Sequence, residues 1–305
     1  MKKAAIITAL FALFTAAYSQ VTDAEERIKT HTVDTILGWK RGGVLGLNTS
    51  QTSLTNWSAG GQSSFAINGL VSLFARNKRE NTLWENYLDI GYGTMKQQET
   101  GWIKTDDRID FTSKYGIEAN EKLYYAGILN FKTQMTPGYN YPNDSVKISD
   151  LFAPAYLLLA LGMDYLPNPD LTIYLSPFTY RLTMVADDAL ADAGAFGVDP
   201  GKHSKQEFGG YLRTMYKKDL MENISLQTKL ELFSNYLKNF GSIDVSWETL
   251  ISMKVNKLIS ATLSTHLLYD EDISIVKEDD SGNVTTYNSK VQFKEVLAVG
   301  FSLNF

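Results

Sequence analysis

The apolar segments of this chain are joined by connections whose lengths are sorted by parity. Twelve segments with strand character can be read at about 42–54, 62–76, 82–97, 102–118, 122–135, 151–165, 170–185, 205–217, 222–236, 241–254, 257–270 and 288–305. After the second, fourth, sixth, eighth and tenth come "NKREN", "ANE", "PNPD", "KKDLM" and "NK", all short. The other connections include "SLTNWSAGG", "TPGYNYPNDSVKISD", "VADDALADAGAFGVDPGKHS" and "EDISIVKEDDSGNVTTYN"; two of the set, "QQETG" and "LKNFG", are tight. Short turns on one side, longer loops on the other and an even strand count describe a transmembrane antiparallel β-barrel of the outer-membrane type. A soluble β-sandwich has no reason to sort its loops this way. The expected fold class is therefore all-β, a twelve-stranded barrel with both termini on the short-turn, periplasmic side.

Alternation within the segments agrees. Ile224, Leu226, Leu230, Leu232 and Tyr236 share one face, with Gln227, Lys229, Glu231 and Asn235 on the other. Ile103, Ile109, Phe111, Tyr115 and Ile117 oppose Lys104, Asp106, Arg108, Asp110 and Lys114. A lipid-facing Lys or Arg at mid-bilayer costs about 2–4 kcal/mol, so near absence of charge from the apolar faces is what a hydrocarbon solvent demands. Two interruptions need explaining. Asp107 falls on an apolar face and is expected near a loop, at headgroup depth. In the seventh segment the apolar phase shifts at Pro177, where a bulge would absorb one residue and turn Arg181 inward. Trp84 near a short turn, and Trp57 and Trp102 near longer loops, suit two interfacial aromatic girdles.

The two ends support the same reading. "MKKAAIITALFALFTAAYSQ" pairs Lys2 and Lys3 with an apolar run and small residues at Ala17 and Ser19. It is expected to be a secretory signal peptide over 1–19, too short to span a bilayer as a helix. A short periplasmic segment is expected over 20–40 and the barrel over 41–305. Removing the two leader lysines leaves 27 basic and 34 acidic residues, which argues against nucleic acid and against a polybasic membrane patch. The chain has no cysteine, so neither a lipoprotein anchor nor a disulfide framework is available. At the other end, "LAVGFSLNF" alternates up to a terminal aromatic. Gly300, Leu303 and Phe305 resemble the closing-strand signal of barrels inserted by the outer-membrane assembly machinery, although Ala298 stands where a polar residue is usual. The expected partners are thus the outer-membrane bilayer with its lipopolysaccharide, and that machinery during insertion.

Several longer motifs, "GLNTSQTSLTNWSAGGQSS", "LDIGYGTMKQ", "KTDDRIDFTSKYG", "PGYNYPNDS", "ALGMDYLPNPD" and "GAFGV", together resemble a Bacteroidota family, the domain-of-unknown-function family 3078. The resemblance runs from about Trp39 to Phe305. It implies an outer-membrane protein of a Gram-negative Bacteroidota cell, and it implies no activity.

Chemistry-bearing constellations are few. No catalytic, cofactor or metal site is expected, since three histidines and no cysteine offer few soft ligands. Ser264 and His266 lie two apart on one strand face, about 7 Å between Cα atoms, beyond the reach of a nucleophile–base pair. Acidic loop residues Asp187, Asp188, Asp192, Glu278, Asp279 and Asp280 lack EF-hand spacing. The inward charges Glu85, Asp89, Asp106, Arg108, Asp110, Lys114 and Lys132 form the main candidate, with Arg108 placed opposite or diagonal to Asp89. They admit two readings: ion pairs that fill a narrow lumen, or a constriction that selects a small polar solute. A first-loop motif, Asn56, Trp57, Gly60 and Gly61, reads as a girdle-anchored turn or a family-specific site. A small porin-like channel is the leading expectation. A sealed structural or surface-interaction barrel is the alternative. An enzyme acting on outer-membrane lipid ranks third.

Overall fold

The computed structural model describes residues 37–53, 63–97, 101–141, 143–238, 240–254, 260–272, 275–278, 284–287, 291–300 and 302–304. Its strands in chain order are β1 (Gly38–Thr52), β2 (Ser64–Lys78), β3 (Thr82–Gln97), β4 (Gly101–Asn120), β5 (Leu123–Thr133), β6 (Gly138–Asn140), β7 (Asn143–Ser149), β8 (Ala155–Asn168) and β9 (Leu171–Met184). After the short helix α1 (Asp188–Asp192) come β10 (Ser204–Met221), β11 (Ile224–Asn235), β12 (Asp244–Lys254), β13 (Ser260–Tyr269), β14 (Ile275–Glu278), β15 (Val284–Tyr287), β16 (Gln292–Gly300) and β17 (Ser302–Asn304). The protein is all-β and its strand pairs are antiparallel, as the alternation requires. No described helix is long and apolar enough to cross a membrane.

The main sheet runs in the order β16-β13-β12-β11-β10-β9-β8-β5-β4-β3-β2-β1-β17. Sequence neighbours pair with sequence neighbours until the last segment. There Ser260 pairs with Gly300 at one end of the sheet, and Leu45 pairs with Leu303 at the other. The first eleven expected segments fall on β1–β5 and β8–β13, and the twelfth falls on β16 and β17. Two loops read as irregular instead hold hairpins, β6–β7 and β14–β15. Val146 and Ile148 alternate in the first of these, which gives it strand character despite its turn residues.

Short connections form where an Asn side chain substitutes for a backbone acceptor. Asn120 Oδ1 accepts from the Lys122 amide at 3.0 Å, and Asn168 Oδ1 from the Asp170 amide at 2.9 Å. These local bonds close β4–β5 and β8–β9 in two residues each. The phase shift at Pro177 is a bulge. Tyr211 pairs with Ser176 but Gly209 with Thr179, and β8 shifts register at the same level, between Leu161 and Met163. Beyond it Arg181 turns to the polar face.

One face of the sheet carries exposed Leu45, Phe65, Leu161, Leu175 and Phe178 among many other large apolar side chains. The opposite face is mixed. A buried apolar cluster of Ala126, Ile128, Ala160, Tyr174, Tyr211 and Phe233 lies on it, from β5, β8, β9, β10 and β11. A second small core, Ala153, Val185, Leu190, Ala191 and Val198, packs α1 and its flanking loop against the chain before β8.

Candidate functional site

The inner face holds charge in three tiers. Nearest the short turns, Arg76 of β2, Glu85 of β3, Lys114 of β4 and Asp164 of β8 form a chain of ion pairs. Arg76 Nε lies 3.0 Å from Glu85 Oε1, Lys114 Nζ 2.9 Å from Glu85 Oε2, and Lys114 Nζ 2.6 Å from Asp164 Oδ2. Tyr87 donates its hydroxyl to Glu85 Oε1 at 3.0 Å. All four charged groups are buried, Glu85 completely. Two cations meet two carboxylates, the balance that buried ions require.

The middle tier is wetter. Lys132 of β5 sits 3.5 Å from Asp110 of β4, with side chains 37% and 29% exposed. Asn130 donates to Asp110 Oδ1 at 2.6 Å, and the Ser72 hydroxyl to Asp89 Oδ1 at 2.5 Å. Lys132 also lies within electrostatic reach of Glu231 on β11 and Glu248 on β12. Lys229 bridges to Glu248 at 2.7 Å, where the glutamate is 42% exposed. Tyr211 donates a short hydrogen bond to Glu231.

At the long-loop end Arg181 of β9 reaches well beyond its neighbouring strand. It binds Glu207 of β10 at 2.7 Å, Asp244 of β12 at 2.7 Å and Asp270, just past β13, at 3.8 Å. Its guanidinium stacks over Phe233 at 4.3 Å. Lys205 joins Glu207 at 3.1 Å and Asp272 at 2.5 Å. Residues on strands three and four apart meet here, so the sheet curls strongly around this tier.

The structure distributes the seven charges expected as one cluster. Glu85 and Lys114 belong to the buried tier, and Asp110 and Lys132 to the middle one. Asp89 pairs with Asp110, and Arg108 with Gly91, so Arg108 is diagonal to Asp89. A Cβ added at Gly91 would stand 3.0 Å from Asp106 Oδ2 and 3.1 Å from Arg108 Nε. The missing side chain makes room for those two groups. Lys104 departs from the expected face. Gly93 pairs with Asp106 and Thr94 with Lys104, so Thr105 is an extra residue that shifts the phase. Lys104 then meets Asp107 at 2.9 Å. Asp107 lies near the loop end of β4, as expected, and its side chain is buried there: it accepts from the Met135 and Thr136 amides at 2.8 and 2.9 Å. It anchors the loop leaving β5.

Alternation alone places Lys229 and Glu231 on the polar face, but not the approach of Glu231 and Glu248 to Lys132. Arg76 was missed because it merges into the charged segment 77–80, and Asp164 because it interrupts an apolar run rather than joining a charged one. His266 Nε2 is 3.0 Å from Ser246 Oγ on the next strand and 3.9 Å from Glu248 Oε1. A proton relay needs its acid and its nucleophile on opposite ring nitrogens, and here both approach one. Among the described residues no group of three or more His, Asp or Glu is arranged to hold a metal ion.

Trp84 is exposed near a short turn, 5.7 Å from Trp39, and Trp102 is exposed at the other end, 6.5 Å from Phe65. Gly300 and Leu303 lie in β16 and β17. Asn56, Trp57, Gly60, Gly61, Phe305, Asp279, Asp280 and the expected signal peptide lie outside the described residues.

Residues 49–139 match a family model described as a protein of unknown function (DUF3078). The family resemblance read from the motifs is thus borne out over that segment. A search of curated proteins returned no significant match. Among solved structures the chain is similar to the translocator domain of the autotransporter NalP from Neisseria meningitidis, at 12% identity and TM-score 0.39, covering 92% of this chain and 93% of that one. It is similar to an outer-membrane channel from Pseudomonas putida F1 at 11% identity and TM-score 0.43, covering 89% and 97%. The NanC porin matches at 10% identity and TM-score 0.37, covering 86% and 100%.

Proposed function

We propose that the chain is an outer-membrane β-barrel of twelve strands, with β16 and β17 acting as one closing strand and both termini periplasmic. Its role on this reading is a narrow, charge-lined conduit for small polar solutes. The apolar face supports the membrane assignment, because soluble proteins rarely expose a contiguous apolar patch beyond a few hundred Å². Lipopolysaccharide and the bilayer would cover that face, and the assembly machinery would insert it through the closing strand.

The observation that carries the conduit reading is the hydration of the middle tier. Asp110, Lys132, Glu248 and His266 keep 29–42% of their side-chain surface exposed on the face turned away from lipid. Charges that served only to fill space would have lost their water, as Glu85 has. The buried tier favours a second reading, a sealed barrel whose loops bind a partner. Ion conductance of the folded protein in a planar bilayer separates the two. Stable steps that change with Asp110→Asn, Lys132→Met or Glu248→Gln support the conduit. Silence from protein whose heat-modifiable gel mobility shows it folded supports the sealed barrel.

A further inference from the structure

The segment joining β11 to β12 has a composition unsuited to a loop in water. Leu237 and Phe240 are 75% and 78% exposed, more than Leu161 at 67% in the middle of the apolar face. They are also not isolated. Phe208 on the apolar face of β10 meets Tyr236 edge-on at 6.0 Å, and Tyr236 meets Phe240 at a tilt at 5.8 Å. The aromatic row therefore continues without a break from the wall of the sheet onto the loop. Ile243 and Trp247, exposed at 47% and 49%, extend the same surface along β12. Lys238 aims its ammonium the other way, 3.4 Å from Asp272, which is already held by Lys205 at the charged upper tier. The segment thus has an apolar side continuous with the outer face and a charged side turned toward the mouth. Gly241, at a φ of +111° with open space around it, permits the turn between them.

We propose that this segment lies down on the bilayer, with Leu237 and Phe240 inserted among the acyl chains of the outer leaflet, instead of projecting into water. The proposal rests on the outer-membrane reading, which sets the continuous apolar wall against lipid. Aromatic side chains favour the level where an apolar body meets a wet boundary, and the contacting rings of Phe208, Tyr236 and Phe240 would occupy it. A protein partner is the competing occupant, but continuity with the lipid-facing wall favours lipid.

The absence of native cysteine makes single-site labelling direct. Leu237→Cys and Phe240→Cys would each carry a nitroxide in protein reconstituted into phosphatidylcholine liposomes. Collision with dissolved oxygen and with a water-soluble nickel chelate would then be measured. Leu161→Cys is the lipid reference, and Asp188→Cys, fully exposed on α1, is the aqueous one. The expected result is that both loop labels resemble the Leu161 label: favoured by oxygen and shielded from nickel, with no other protein present. Nickel access matching the Asp188 label, with the Leu161 label still in lipid, overturns this inference alone. An aqueous Leu161 label would overturn the barrel reading, and this inference with it.

Discussion

Lys114→Met tests whether the tier nearest the short turns is dry. Lys114 Nζ lies 2.6 Å from Asp164 and 2.9 Å from Glu85. Glu85 would keep Arg76 at 3.0 Å and the Tyr87 hydroxyl at 3.0 Å. Asp164 is different. It is buried, its Oδ1 already has no hydrogen-bond partner, and its other oxygen would lose the lysine. Removing one member of a buried pair costs about 3–5 kcal/mol, most of it the charge left behind. The loss should appear in urea unfolding of the folded protein in liposomes, followed by tryptophan fluorescence. Adding Asp164→Asn to Lys114→Met should recover more than about half of it, because the orphaned charge is then gone. A loss below about 1 kcal/mol, in the range of exposed pairs, would refute the reasoning. So would an equal loss with and without Asp164→Asn. Either result would mean that water reaches this tier, and that the charges are not a seal.

Three further outcomes are expected. Arg181→Gln should raise conductance across a planar bilayer, because it frees Asp244 and Asp270 from β9 at the upper tier; unchanged conductance would show that this clasp does not limit passage. Lys147 holds Asp150 at 2.7 Å and Asp187 at 2.8 Å, and its hydrogen bonds keep both carboxyls below their ordinary range. Carboxyls depressed in the folded state stabilise it above their unfolded value, near about 4, and that contribution fades as pH falls through the depressed one. The protection of the β6–β7 amides, taken relative to their intrinsic exchange rate at each pH, should therefore fall below about pH 4, while protection equal to that at pH 6 would count against the clamp. Finally, a Cβ at Gly162 would overlap the Leu175 carbonyl oxygen and stand 2.7 Å from Ser176 Cα, at the bulge. Gly162→Ala should cost about 1–3 kcal/mol by forcing backbone apart, and a neutral effect in the same unfolding assay would deny that close approach.

What the sequence made legible followed the period of two. Strand positions, the direction of inward residues and the bulge at Pro177 all leave a trace in alternation, because each sheet face must match its solvent over many residues. Lys104 escaped that logic. A single extra residue at Thr105 inverts the phase of Lys104 and the residues before it relative to Asp106 and those after it, and nothing local distinguishes Thr105 from any other strand residue. Asp107 escaped for a related reason: its partners are amides 28 and 29 residues away, and no spacing rule announces them. The ion-pair tiers were visible as inward charges but not as tiers. Lys114 and Asp164 are 50 residues apart, on strands separated by β5. Their meeting depends on how far the sheet curls and on register, both tertiary properties.

The polar face solves one electrostatic problem at three degrees of dryness. In the most buried tier, charge is matched pair by pair and a tyrosine hydroxyl supplies a further bond to Glu85. A buried carboxylate needs this, because its desolvation is otherwise uncompensated. In the middle tier Asp110 takes a 2.6 Å bond from Asn130 and a 3.5 Å contact from Lys132, and Glu248 is held by Lys229 at 2.7 Å, with Asp110, Lys132 and Glu248 29–42% exposed, so solvent can share in the stabilisation. At the upper tier Arg181 serves three carboxylates while Lys205 serves two, and carboxylates outnumber cations. The excess is offset by sharing, since Glu207 takes contacts from both Arg181 and Lys205 and Asp272 from both Lys205 and Lys238. Exposure is therefore greatest in the middle tier, at 29–42% for Asp110, Lys132, Glu248 and His266, against 2–23% for the groups gathered by Arg181 and Lys205 at the loop end and at most 10% in the buried tier. If a solute passes, the buried tier around Glu85 is the driest step it meets, and the upper clasp at Arg181 is the one a change in charge can most readily release.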